Sequence, residues 1–121
     1  MAENLYTEYF LGLLGQIKLL HWCTPKYAIW IALDKLHSSL SENIDKFMEV
    51  YIGKYDKQPI DLFKISMEAT SDYNIVKDYL IAHRENIKKL RNNFKSASDL
   101  QNILDEISAN INQAIYLINL E

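Results

Sequence analysis

The sequence predicts an all-α protein built from four long helices. Apolar residues recur at helical spacing in four separate segments, and no segment has the apolar-polar alternation of a β-strand. The chain has only 3 glycines and 2 prolines among its 121 residues, too few for the many turns of an all-β fold. Hydrophobic residues make up 49% of the chain, enough for the core of one domain spanning residues 1–121.

The first two helices are predicted on either side of a Thr24-Pro25 step. The first runs from about Glu3 to Trp22, with apolar residues on one face. Proline cannot continue that helix, but it suits the first turn of the next one, with Thr24 as the N-cap. The second helix is predicted from Pro25 to about Ile52, and Gly53 is expected to stop it.

The second half of the chain holds two more helices after a longer connection. That connection contains one segment, Asp61 to Met67, that could form a short helix. The third helix is predicted from about Asp72 to Phe94, and the fourth begins at Ser98, which has capping-box spacing with Gln101. Two long helices, a long crossover and two further helices describe a four-helix bundle with ferritin-like connectivity.

The composition argues against some classes of partner and indicates the cellular compartment. The net charge of −3 argues against a general nucleic-acid binder, whose affinity depends on neutralising phosphates. The single cysteine, Cys23, excludes an internal disulfide and fits a reducing compartment. A secretory signal begins with basic residues, whereas the first basic residue of this chain is Lys18. No apolar run approaches the roughly 20 residues that a membrane span needs. We therefore expect a cytoplasmic protein without membrane contacts.

Three carboxylates on the second helix, Asp34, Asp45 and Glu49, lie away from its apolar stripe. At the turn angle of a helix they cluster roughly 120–180° round from that stripe. The ordinary interpretation of such a cluster is a solvated acidic face. Trp30 and Ile52 lie in or beside the same sector, however, and large apolar groups among carboxylates indicate a face covered by a partner.

These residues resemble the motif of the Dps family (DNA protection during starvation), ferritin-like proteins that form hollow dodecamers. The family motif is a His-Trp pair that ends the first helix, followed on the second helix by His, Asp, Asp and Glu. The present sequence has His21-Trp22, Asp34, Asp45 and Glu49, and it keeps the family spacings from Asp34 onward. It also resembles a group of small proteins of large DNA viruses that carry a similar HWxTxxYA core.

The resemblance implies an iron site shared between two subunits. In the family, the two histidines and the first aspartate come from one chain, and the later aspartate and glutamate from its two-fold mate. By resemblance, His21 and Asp34 would face Asp45 and Glu49 of another copy, and mixed imidazole and carboxylate ligands suit Fe(II). The implied partners are therefore a metal ion and further copies of this chain, joined by two-fold contacts, with a dodecamer as the family's closed form.

The chain departs from the family motif at three points. Trp30 stands where the family has its second histidine, four residues before Asp34, so one imidazole ligand is missing. The turn between the first two helices is shorter than in the family, and no lysine-rich tail of the kind that some members use on DNA precedes the first helix. His37, one turn beyond Asp34 on the side of Trp30, is a candidate substitute ligand or interface histidine.

No catalytic residue is predicted elsewhere. The chain lacks the Glu-x-x-His pairs of an intra-subunit di-iron site, and it has no phosphate-binding glycine loop. His83 falls on the core stripe of the third helix and is expected to be a hydrogen-bonded core residue.

Three classes of function remain open from the sequence. The first is a Dps-like oligomer with a degenerate iron site, weak metal binding and slow or lost ferroxidase activity. The second is a structural or assembly protein, of a host cytoplasm or a virion, in which Trp30 plugs the interface. The third is nucleic-acid association through a basic cluster near the end of the third helix, although cations there ordinarily complement the helix dipole. The cluster comprises Arg84, Lys88, Lys89, Arg91 and Lys95.

Overall fold

The computed structural model describes residues 5–59 and 63–120, and all regular structure within these ranges is helical. The four α-helices are α1 (Leu5–Cys23), α2 (Tyr27–Tyr55), α3 (Tyr73–Arg91) and α4 (Ser98–Asn119), and a short 3-10 helix, Asn92–Phe94, extends α3. The prediction of an all-α protein with four helices is therefore confirmed. None of the helices in the described ranges has the length and apolar character needed to cross a bilayer.

The side-chain caps predicted at two helix starts do not form. α2 is capped by Lys26 without a side-chain hydrogen bond, and Thr24 instead accepts from the Lys26 amide through Oγ1 at 3.3 Å. The cap of α4 is Ala97, so Ser98 is already helical and the predicted capping box is absent. Both helices instead begin where their apolar stripes meet the core, because tertiary packing outweighs a cap that stabilises by only about 1 kcal/mol.

α2 does not stop at Gly53 as predicted but continues to Tyr55. The helix ends at Asp56, which adopts the left-handed conformation with φ 53° and donates its amide to the Ile52 carbonyl at 2.8 Å. A glycine inside a helix costs only about 1 kcal/mol relative to alanine, so it does not by itself terminate a long helix. Asp56, the left-handed residue three positions later, terminates the helix.

The helices bury one continuous core. α2 packs against both α1 and α4, and α3 packs against α4. Aromatic rings fill one end of the bundle, where Phe47 lies 5.1 Å from Phe10 and 5.7 Å from Phe94 between ring centroids, within the range favoured for aromatic pairs. The side chains buried most completely are Phe10, Leu13, Ile17, Leu20, Ile29, Leu33, Leu40, Phe47, Leu80, Ile87, Leu100 and Leu104.

α1 and α3 meet through a polar pair. The Tyr9 hydroxyl lies 2.6 Å from His83 Nδ1, which confirms the prediction of a hydrogen-bonded His83, although the side chain is half-buried rather than fully in the core. Burial lowers the pKa of His83 below its usual 6.5. The imidazole is therefore neutral in the folded protein over a wider pH range than in the unfolded chain.

The described part of the connection between α2 and α3 is not helical. Phe63–Met67 therefore does not form the short helix considered for Asp61 to Met67, and residues 61 and 62 lie outside the described residues. Residues 63–72, here called the strap, lie along α1. A Cβ built on Gly15 would stand 3.0 Å from the side chain of Met67, so this glycine permits the close approach of the strap.

A reciprocal pair of hydrogen bonds fastens the strap to α1. Gln16 Nε2 donates to the Glu68 carbonyl at 2.6 Å, and the Glu68 amide donates to Gln16 Oε1 at 2.8 Å. Gln16 is buried, so both polar ends of its side chain need such partners. One glutamine side chain thus satisfies a backbone donor and a backbone acceptor of a segment without secondary structure.

Gln16→Ala is expected to loosen the strap. It removes two hydrogen bonds of the strap backbone, so we expect the free energy of unfolding to fall by about 1–3 kcal/mol. Hydrogen exchange at the Glu68 amide should accelerate more than exchange in the helices. Gln113→Ala, at an exposed position of α4, is the matched control. Equal urea unfolding midpoints for the two variants would contradict the role assigned to Gln16.

His83 is expected to make stability depend on pH. Because its folded pKa is lower than 6.5, the unfolded chain binds the proton more readily. The free energy of unfolding should therefore be highest above pH 6.5 and fall as pH drops from there towards the folded pKa. His83→Phe should flatten this slope in urea unfolding series, and an unchanged slope in the variant would rule out His83 as its source.

Candidate metal centre

The α1–α2 hairpin brings His21 and Asp34 together. α1 ends at Cys23 and α2 begins at Tyr27, so a short turn reverses the chain and places the last turn of α1 beside the start of α2. His21 Nε2 lies 3.8 Å from Asp34 Oδ1. Two ligands of one metal ion, each at about 2 Å from it, stand roughly 3–3.5 Å apart, so a small side-chain movement would let both contact one ion.

A main-chain hydrogen bond orients the imidazole of His21. Its Nδ1 lies 2.8 Å from the carbonyl oxygen of Trp30. A carbonyl can only accept, so Nδ1 carries the proton, and in the neutral ring Nε2 keeps its lone pair directed to the side of Asp34. Metal-binding histidines are usually held in this way, with the second ring nitrogen donating to a carbonyl or carboxylate.

The side chain of Trp30 covers the imidazole of His21, and the main-chain carbonyl of Trp30 orients that imidazole. The indole and imidazole centroids are 4.5 Å apart, and His21 is only 5% exposed. The other neighbour of the indole is Tyr27, whose ring is nearly parallel at 6.0 Å. Trp30 itself remains 39% exposed, so the chain alone does not bury this indole.

Lys18 is part of this site, although the sequence reasoning did not identify it. It lies about one turn before His21 on α1, and its Nζ is 3.8 Å from Asp34 Oδ1, the same oxygen that faces His21. The ammonium group partly neutralises Asp34, whose side chain is 50% exposed. Exposed pairs of this kind stabilise a fold by only about 0–1 kcal/mol, so a divalent cation could displace the lysine.

His37 lies in the electrostatic surroundings of the same groups. Burial is the main cause that lowers its pKa, Lys18 and His21 lower it further, and Asp34 opposes them. His37 is therefore neutral at neutral pH, the form in which an imidazole binds metal. It does not complete a site, since no group of three His, Cys, Asp or Glu side chains in the described ranges could hold one ion.

Asp45 and Glu49 lie far from the His21–Asp34 pair, further along α2. They follow Asp34 on α2 by roughly 16 and 22 Å at the rise of an α-helix, and both are exposed. Ile52, which was expected on the same face, is half-buried. One chain thus brings together two of the four predicted ligands, and the other two are separate and open to a partner.

The basic cluster of α3 is largely engaged with neighbouring side chains. Arg91 donates to both carboxylate oxygens of Asp105, at 2.7 and 3.3 Å, and Arg84 donates to Asn112 at 3.1 Å. Lys88 pairs with Glu85 at 3.4 Å. These contacts connect α3 to α4 or lie along α3 itself, which supports a structural role for the cluster over nucleic-acid binding.

Comparisons with known proteins give one match. No curated protein and no solved structure matches the chain. The model of a family described as "Family of unknown function (DUF5856)" matches residues 21–118, a range that begins at His21 and includes α2, α3 and all but the last residue of α4. Asp34, Asp45 and Glu49 all lie within the matched range, which covers most of the chain. The chain therefore belongs to the DUF5856 family.

Proposed function

We propose that this chain is a Dps-like, ferritin-like protein that assembles through two-fold contacts and binds Fe(II) weakly at a degenerate site between subunits. The ligands are His21 and Asp34 of one copy and Asp45 and Glu49 of its mate. The observation that carries the proposal is the orientation of His21, whose Nδ1–H bonds the Trp30 carbonyl while Nε2 stands 3.8 Å from Asp34.

Contacts at the two ends of the bundle support the ferritin-like connectivity. Lys54 near the end of α2 pairs with Asp99 at the start of α4 at 3.2 Å. Tyr73 at the start of α3 donates to the Ile118 carbonyl near the end of α4 at 3.4 Å. The end of α2 and the start of α3 thus lie at opposite ends of α4. A connection between them has to travel the length of the bundle, as a ferritin-like crossover does.

The ligand chemistry favours a metal of intermediate softness. One imidazole with carboxylate oxygens suits Fe(II) and similar ions better than a purely oxygen-bound ion such as Ca²⁺. His21 supplies a nitrogen whose orientation is fixed by the Trp30 carbonyl, and Asp34 supplies charge once Lys18 has moved aside. Because two ligands cannot fill the coordination sphere, the carboxylates of a second copy are needed.

The replacement of one histidine by Trp30 explains why we propose weak binding and slow or lost oxidation. The indole removes a nitrogen ligand and lies against the remaining imidazole, 4.5 Å away between ring centroids. The indole would also fill space beside a bound ion that an approaching oxidant would need. Fe(II) oxidation at this site therefore lacks both a ligand and an access route.

A non-catalytic assembly protein is the second candidate, and exposed aromatic residues favour it. Trp22 is 71% exposed, Tyr27 75% and Trp30 39%, all at the α1–α2 hairpin. Exposed apolar patches of this kind mark protein–protein contacts. In this alternative, Trp30 is an apolar plug, and Lys18 permanently neutralises Asp34.

Trp30→His is the sharpest test of the iron site. It places an imidazole one turn before Asp34, so Fe(II) affinity in anaerobic titration should rise by at least the roughly tenfold typical of changes to metal-site support. Admission of air should then produce ferric absorbance faster than in the wild type. Tyr116→His, at an exposed aromatic residue of α4, is the matched control and should change neither value.

Different outcomes of that titration separate the candidates. An oligomer that binds no Fe(II), either as wild type or as Trp30→His, would support the assembly protein. Rapid oxidation by the wild type that is unchanged in Trp30→His and abolished in His21→Ala would refute the lost-ligand interpretation. His37→Ala would then show whether His37 replaces the missing imidazole.

Removal of the competing ammonium group should strengthen metal binding. Lys18→Met frees Asp34 Oδ1, so we expect tighter Fe(II) binding and, in native mass spectrometry, more dimer with added Fe(II). Lys35→Met removes an exposed lysine of the same helix as Asp34 and is the control for net charge. Equal gains in the two variants would mean that general charge, and not the Lys18–Asp34 pair, limits binding.

A further inference from the structure

A cavity of about 500 Å³ lies between α1, α3 and the strap. This volume is within the roughly 300–1,000 Å³ of small-molecule sites. Its apolar lining residues include Leu5, Leu13 and Ile65, and its polar lining residues include Tyr9, Tyr79 and His83. The cavity therefore combines an apolar wall with a compact polar cluster, and none of these six residues belongs to the proposed iron site.

The polar cluster consists of three titratable side chains that burial keeps uncharged. Burial raises the pKa of Tyr9 to about 12 and also raises the pKa of Tyr79. Burial lowers the pKa of His83. The imidazole centroid lies 4.2 Å from the ring of Tyr79 and 5.5 Å from that of Tyr9. Clusters of perturbed titratable groups in a cavity are typical of binding sites.

The hydrogen bond between Tyr9 and His83 determines which polar atoms remain for a ligand. A phenol hydroxyl is a stronger acid than an imidazole N–H, and an imidazole nitrogen is a stronger base than a phenol oxygen. We therefore assign the Tyr9 hydroxyl as the donor to His83 Nδ1, 2.6 Å away. A neutral imidazole that accepts at Nδ1 carries its proton on Nε2. His83 Nε2–H and the Tyr79 hydroxyl are then donors that can bind an acceptor.

The charged residues at the cavity do not favour an anion. Glu8, Glu68 and Lys64 line it, two carboxylates against one ammonium group. Burial of an unpaired ligand charge against Leu13, Ile65 and the tyrosine rings would be costly. A flat ring, by contrast, can pack against the aromatic side chains.

We propose that this cavity binds an uncharged aromatic molecule that carries a carbonyl group. The ring packs between Ile65 and the side chains of Tyr9 and Tyr79, and the carbonyl oxygen accepts from the donors of the His83–Tyr79 cluster. Gly12 lines the cavity on the α1 side without a side chain, and a Cβ there would stand 3.5 Å from Ile65 Cγ2, in ordinary contact. The Gln16–Glu68 hydrogen bonds hold the strap wall in place.

Three probes of similar size test the proposal in NMR titrations of the full chain. They are acetophenone, which has a neutral carbonyl, ethylbenzene, which lacks it, and benzoate, which is charged. Acetophenone should bind tighter than ethylbenzene by roughly two- to tenfold, the value of one hydrogen bond, and benzoate should bind weakest. The shifted resonances should include Gly12, Ile65 and His83. His83→Phe should abolish the preference for acetophenone while ethylbenzene still binds.

A cavity-filling variant tests the location independently. Gly12→Leu should weaken all probes, whereas Gly53→Leu, at an exposed helical glycine with nothing within 4 Å of its Cβ, should not. If Gly12→Leu unfolds the chain, Gly12→Ala adds a methyl group that meets only ordinary contacts and should still weaken binding. The proposal is overturned if no probe binds, if benzoate binds tighter than acetophenone, or if His83→Phe keeps the preference for acetophenone.

Discussion

The burial of the apolar stripe of α2 is the constraint on which the rest of the molecule depends. α2 is packed against α1 on one side and α4 on another, with Leu33, Leu40 and Phe47 completely buried. Each such side chain contributes about 1.5–3 kcal/mol, so the rotation of the helix about its axis is fixed. Asp45 and Glu49 then have to be exposed, and Asp34 has to lie at the edge next to α1. The core thus determines which groups of α2 remain for chemistry.

His21 and His83 have opposite hydrogen-bonding roles. His21 donates from Nδ1 to a carbonyl, which leaves a lone pair on Nε2 and suits a cation. His83 accepts at Nδ1 from Tyr9, which leaves a donor on Nε2 and suits an oxygen acceptor. In the two sites we propose, the partner of Nδ1 therefore decides whether the same type of side chain can bind a metal ion or a neutral ligand.

Trp30 combines two contributions that a substitution can separate. Its carbonyl oxygen orients His21 whichever side chain occupies the position, whereas its indole packs against the imidazole. In the site we propose, the main-chain support for a metal ligand is kept although one side-chain ligand is absent. Lys18 adds to this arrangement, because its ammonium group lies beside the Asp34 carboxylate and offsets its charge.

The sequence by itself determined the helical class, the number of helices and most of their length, because these follow from apolar periodicity, which is local. It also singled out His21 and Asp34, through a resemblance to a family motif whose spacings are kept from Asp34 onward. It misjudged Thr24, Ser98 and Gly53, because caps and glycines stabilise or destabilise by only about 1 kcal/mol and packing overrides them. Only the tertiary structure decided the long-range contacts: the ammonium group of Lys18 beside Asp34, the strap held by Gln16 across 52 residues, and the cavity around His83. Such contacts depend on how elements distant in sequence pack together, and no local pattern encodes them.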